Sequence, residues 1–270
     1  MARLPTLFVS HGAPTFAMEP GKAGAQLGAL GRVLGKPRAI VIVSPHWMTT
    51  GVSVTSALDL DTIHDFGGFP RALYDIRYPA KGDPLLARGI ADISRTAGWA
   101  ASLDTSRGLD HGAWVPLLHM FPRADVPVVQ VSVPMSLDPA SALRFGRALA
   151  PLAEEGVLIV GSGSLTHNLY EFRHRTTSEA PYAREFTEWI RRAVQAGDTA
   201  RLANALEVAP HAARAHPTTE HFLPLLVALG AAREQLPVTV LDGGIEHGVL
   251  SMESYVFGGA MALETEGVTT

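Results

Sequence analysis

The chain has 11 histidines and no cysteine in 270 residues. Any metal it holds must therefore sit on His, Asp or Glu. Three histidines directly follow short β-branched runs: His11 after LPTLFV in SHGAP, His46 after AIVIV in SPHW, and His167 after VLIVG in GSGSLTHN. In open α/β sheets ligands bind in the crevice outside the carboxyl ends of the strands, so three imidazoles distant in sequence can converge there. Neutral imidazole is the commonest side-chain metal ligand and, without thiolates, suits iron, zinc, copper and nickel. A single His beside a strand is more often a hydrogen-bonded wall residue. Three in the same structural position, each on a turn of small residues or Pro, point to a metal or catalytic centre.

Two further segments carry histidines that could join them. His111 lies in GLDHGAWVPLLHMF, beside Asp110 and before a Gly-Ala step that would let a substrate approach. An unperturbed histidine, with pKa about 6.5, suits acid/base work, and the competing reading of this one is a turn residue before a buried helix. In HPTTEHFLPLLVALG, Thr218 or Thr219 could cap a helix running to Leu229, placing His221 in its first turn. His216, just before Pro217, reads as a loop residue. His64, His119, His174, His211 and His247 read as surface or packing residues. GSGS at 161–164 lacks the Lys and the third Gly of phosphate loops, and no GxSxG elbow supports a serine hydrolase. The segment DLDTIHDFGGFP gathers Asp59, Asp61, Asp65, Gly67 and Gly68 into a loop that reads as a lid or, more simply, a solvated loop.

These positions need a scaffold, and the sequence supplies one. Short apolar β-branched runs alternate with amphipathic Ala- and Leu-rich runs, the signature of an α/β protein with a buried sheet. Strands are expected at 6–9, 39–43, 52–55, 128–131, 157–160, 238–241 and 248–256. Helices are expected at 22–34, 84–97, 139–154, 183–196 and 199–206, with Asp83 and Asp138 as caps before first-turn prolines. No repeat or linker divides the chain, so residues 1–270 read as one catalytic domain with helices on both faces of a mostly parallel sheet. Hydrophobic residues make up 47%, the mean hydropathy is +0.15 and the net charge is -4, which excludes a disordered chain and disfavours nucleic-acid binding. No stretch approaches the roughly 18 apolar residues of a membrane helix. The N-terminus lacks a signal-peptide pattern, and a cytoplasmic location is the expectation.

Taken together and in order, SHGAP, SPHW, DFGGFP, DHGAWVPL, GSGSLTHNL and HPTTEHFLPLLVALGA resemble the LigB-like class III extradiol ring-cleavage dioxygenases, specifically the DODA-type subgroup. The resemblance runs from about Leu4 to Val256. It implies a mononuclear ferrous site, sometimes found with zinc instead, at the mouth of an α/β core. By motif it implies His11, His46 and His221 as ligands, His167 as a fourth contact or acid/base, and His111 as a residue lining the substrate pocket. The wider class completes its triad with a carboxylate; here His221 stands in that place, with Glu220 as the alternative. An all-His site leaves the metal's charge uncompensated, which favours an anionic catecholate. The implied reaction takes O2 and a catechol, DOPA-like or a related ortho-diphenol, to a muconic semialdehyde. A zinc hydrolase using the same histidines, or a non-catalytic binding protein on this scaffold, are the alternatives.

Overall fold

In the computed structural model, residues 3–173, 178–232, 237–259 and 261 are described. The apolar runs form the strands β1 (Thr6–Ser10), β2 (Ala39–Thr49), β3 (Val52–Thr55), β4 (Ala101–Asp104), β5 (Val128–Pro134), β6 (Val157–Gly163), β7 (Val238–Leu241), β8 (Ile245–Glu246), β9 (Leu250–Ser251) and β10 (Ser254–Phe257). Eight of them make one sheet in the order β4-β3-β5-β2-β6-β1-β10-β7. Its centre, β5-β2-β6-β1, is parallel, as is β3 with β4. The β3–β5, β1–β10 and β10–β7 pairs are antiparallel. β8 and β9 pair separately.

The helices are α1 (Gly21–Leu34), α2 (Arg71–Asp75), α3 (Pro84–Thr96), α4 (His111–Met120), α5 (Pro139–Leu149), α6 (Leu169–Arg173), α7 (Pro181–Gln195), α8 (Thr199–Ala203), α9 (Ala205–Val208), α10 (Ala212–Ala215) and α11 (Leu223–Ala231). They cover both faces of the sheet. Along β2, Val41 and Val43 enter one core with residues of α3, α5, α7 and α11, while Ile40 and Ile42 enter the other with residues of α1 and α4. All four are fully buried. Each such side chain contributes about 1.5–3 kcal/mol through apolar burial, so the strand ends that hold the site rest on a rigid platform.

Most boundaries match the sequence expectation to within a few residues. The expected strand 248–256 is broken into β9 and β10, and the helix expected over 139–154 stops at Leu149 and continues as a 3-10 turn over Ala150–Glu155. The helix expected over 199–206 divides into α8 and α9. β2 runs past His46, and α2 and β4 carry no clear signal in the sequence. Among the described residues, no helix is long and apolar enough to cross a membrane. His174 lies outside the described residues.

Candidate metal and substrate site

The parallel strands β1, β2 and β6 end on the same side of the sheet, and each delivers a different part of one site. His11 is the first residue beyond β1, held by its backbone N–H to the Gly163 carbonyl at 2.9 Å. Gly12 follows at φ +63, where a Cβ would meet the Met252 side chain at 2.6 Å, so the turn requires glycine. The His11 ring is fixed from behind by a chain that starts in α4. Pro116 lies inside that helix and has no N–H, which frees the carbonyl four residues earlier, on Gly112. That carbonyl accepts the Ser162 hydroxyl at the end of β6, and Ser162 Oγ lies 3.0 Å from His11 Nδ1. With the hydroxyl proton committed to Gly112, Ser162 can only accept, so His11 carries its proton on Nδ1 and offers the Nε2 lone pair.

His46 sits inside β2 rather than after it. The register against β5 shifts between Val43 and Met48, a bulge that turns Ser44 and His46 out of the regular ladder. Ser44 Oγ donates to Asp110 Oδ1 at 2.7 Å. Gly112 faces this bulge so closely that a Cβ there would lie 2.4 Å from Ser44 Oγ and 2.9 Å from His46 Cδ2. His46 Nε2 lies 3.1 Å from His11 Nε2.

His221 lies in the turn just before α11, not in its first helical turn. Neither Thr218 nor Thr219 caps the helix by its side chain. The Thr219 carbonyl accepts from Phe222 and Leu223 N–H instead, and Thr218 Oγ1 donates to Glu220. The glycines of β6 let this segment approach: Gly163 faces the His221 carbonyl, which a Cβ would meet at 2.3 Å, and Ser164 N–H donates to that carbonyl at 3.0 Å. Glu220 Oε1 takes His221 Nδ1 at 3.0 Å, so the glutamate stands beside the outward nitrogen of the ring. His221 Nε2 is buried without a hydrogen-bond partner.

One ring nitrogen from each of His11, His46 and His221 lies within 4.8 Å of the others. Two Nε2 atoms 3.1 Å apart and a third with no partner make a cluster of acceptors with no donor. A buried polar atom left in this way costs about 1–3 kcal/mol. A divalent cation satisfies all three, and the donor set fits one. Burial, reinforced by the mutual repulsion of the imidazolium forms, holds His11 and His221 well below the ordinary histidine pKa and takes His46 to about 3. The three rings are neutral at pH 7, the state a ligand needs.

His111 and His167 flank this trio. His111 is the first residue of α4, whose N-cap is the buried Asp110, accepting from Ala113 N–H. Its ring centroid is 3.9 Å from that of His46 and 5.5 Å from that of His11. Asp65, from the 59–70 loop, accepts both the His111 backbone N–H at 2.9 Å and Nδ1 at 3.0 Å. The same Asp65 Oδ2 is 3.5 Å from His46 Nδ1. Phe66 meets the His111 ring edge to face at 5.6 Å. His167 stacks on His221 with centroids 3.5 Å apart and planes 10° apart. Burial lowers its pKa to about 4, against the opposing pull of Glu220.

Among the other described histidines only His216 is buried, with Nε2 2.9 Å from the Leu165 carbonyl. His64 and His119 contact the carbonyls of Ile76 and Phe16, and His211 pairs with Glu185. Sequence reasoning misses Asp65, Ser162 and Glu220 as partners of the imidazoles. Asp65 reads there only as part of a loop, Ser162 only as part of GSGS, and Glu220 only as a rival ligand.

A family model described as the catalytic LigB subunit of aromatic ring-opening dioxygenase matches residues 6–258. The chain belongs to the LigB family. Among its relatives, the "4,5-DOPA dioxygenase extradiol" of Beta vulgaris is 41% identical, covering 93% of this chain and 96% of its own. The protein of the same name from Escherichia coli K12 is 40% identical, covering 95% of each chain. A crystal structure of an uncharacterized Escherichia coli K12 protein matches with a TM-score of 0.76 at 35% identity, covering 95% of this chain and 100% of that one. This LigB protein is an extradiol ring-opening dioxygenase, and its three-histidine cluster is compatible with the metal on which such enzymes depend.

Proposed function

We propose that this LigB enzyme opens the aromatic ring of a catechol beside its diol, with ferrous iron held by His11, His46 and His221 and with DOPA or a related ortho-diphenol as substrate. The observation that carries the reading is the cluster of three neutral imidazoles whose Nε2 atoms converge without a donor, flanked by two more imidazoles. The substrate class draws on the names of the relatives, and iron on the chemistry of O2. When bound there, ferrous iron supplies Lewis acidity toward the diol and electrons toward O2.

The residues do the rest. His221 is the third ligand and Glu220 its orienting carboxylate, because Glu220 Oε1 is already engaged by His221 Nδ1 and Thr218. His167 is neutral at pH 7 and accepts the proton that leaves a catechol hydroxyl. The Glu220 carboxylate favours the imidazolium so formed. His111, with Nδ1 committed to Asp65, uses its other nitrogen, a lone-pair acceptor, to orient a substrate hydroxyl or to take up a proton that it then passes to oxygen. Phe66 offers an aromatic wall beside it. An all-imidazole ligand set leaves the cation's charge to be met by the substrate, which selects an anionic catecholate.

Metal analysis of single variants tests the assignment. His11→Ala, His46→Ala and His221→Ala should lose stoichiometric metal and O2 uptake with catechols together, whereas His167→Ala should keep the metal and turn over slowly. Full metal retention in the first three variants, or an empty site in the fourth, contradicts these roles.

A further inference from the structure

We propose that Asp65 is a positioning residue shared by two histidines, fixing the tautomer of the ligand His46 and of the pocket residue His111 through one carboxylate. The inference rests on the ligand assignment above. Its geometry is independent of any bound group. Asp65 Oδ1 accepts the His111 backbone N–H at 2.9 Å, and Oδ2 lies 3.0 Å from His111 Nδ1 and 3.5 Å from His46 Nδ1. Every neighbour in this set is a potential donor. An ionised carboxylate only accepts, and its two oxygens offer about four lone-pair positions, so one aspartate takes both His111 N–H groups by hydrogen bonds and stands close enough to His46 Nδ1 to favour a proton there.

Both imidazoles are thereby driven to the same tautomer, with the proton on Nδ1 and the lone pair on Nε2. For His46 that lone pair is the one directed at His11 Nε2, 3.1 Å away, where the cation belongs. For His111 the result is an accepting Nε2 in the pocket. Second-layer carboxylates of this kind typically change metal affinity by about 10–100-fold when altered. Here the carboxylate comes from a loop between the Thr62–Leu109 bridge and α2, so the loop that lines the substrate side also sets the ligand.

The isosteric amide makes the proposal sharp. In Asp65→Asn one of the two oxygens becomes an NH2 donor, so whichever way the amide turns, one donor faces another. If the NH2 faces the rings, it favours the tautomer with the proton on Nε2, which cannot bind metal. Asp65→Ala removes the acceptor without imposing a donor. A residue that merely filled space would therefore tolerate Asn better than Ala, while a residue that sets tautomers would not.

Zinc serves as the diamagnetic probe, with affinity measured by chelator competition and the His111 tautomer read by long-range 1H–15N correlation in the zinc-loaded protein. The expected result is 10–100-fold weaker zinc binding in Asp65→Asn, no tighter than in Asp65→Ala, with the wild-type His111 protonated on Nδ1. Zinc affinity within twofold of wild type in Asp65→Asn, or a wild-type His111 protonated on Nε2, overturns this proposal alone. A wild-type protein that binds no zinc overturns the ligand assignment with it.

Discussion

Each of the three converging imidazoles has an acceptor beside its Nδ1: Ser162 for His11, Asp65 for His46 and Glu220 for His221. Two of the three acceptors are carboxylates, so they would partly supply, one layer out, the charge that the proposed all-imidazole ligand set lacks. The Ser162→Ala variant should weaken metal binding about 10–100-fold without unfolding the chain, because it removes the acceptor that fixes the His11 tautomer. Isothermal titration with zinc checks this, and an unchanged affinity would mean that His11 is oriented by packing alone. The five histidines are legible in the sequence because each stands next to a strand or a helix-start signal. Their partners are not. Asp65 lies 46 residues from His111, and Ser162 lies 151 residues from His11. No local pattern marks such a pair; only the fold brings its members together.

At the scale of elements, α4 and the β2 bulge decide the site together. Gly112 must be glycine because a Cβ would press on Ser44 and His46. Gly112→Ala is expected to displace His46 and reduce metal occupancy while leaving the sheet intact, as judged by occupancy against far-ultraviolet dichroism. Pro116→Ala should act more gently. It adds an N–H that competes with Ser162 for the Gly112 carbonyl, so helix stability should rise while metal affinity falls, measured by melting temperature and zinc titration on the same sample. The strands and long helices are legible from their hydrophobic period and their Asp-Pro starts. The extension of β2 past His46 is not, because a bulge next to Pro45 leaves no period-two pattern. The start of α11 is misleading in sequence since Thr218 and Thr219 look like caps, whereas Thr218 serves Glu220 and Thr219 uses its carbonyl.

For the whole molecule, the α/β class, the parallel centre and the helical layers on both faces follow from composition and alternation alone. The family membership sets aside the zinc hydrolase and the non-catalytic reading. A buried cluster of neutral imidazoles also has a cost in acid. His216, with its pKa lowered by burial to about 4, binds its proton in the unfolded chain first. Its contribution is full above about pH 6.5 and is lost as pH falls toward 4, with a slope approaching 1.4 kcal/mol per unit and roughly 3 kcal/mol in all. Urea midpoints of the metal-free protein should therefore drop between pH 7 and pH 4.5, and His216→Asn should flatten the slope. A pH-independent midpoint would contradict it.

If these imidazoles hold a metal at which O2 and a catechol meet, the reaction can be watched in the protein itself. The protein is loaded anaerobically with ferrous iron, DOPA is added, O2 is admitted, and oxygen uptake and product mass are followed. One O2 consumed per catechol and a yellow ring-opened product carrying both oxygen atoms, absent from His46→Ala, is the predicted result. A metal-loaded protein that leaves the catechol ring closed in air would contradict the claim.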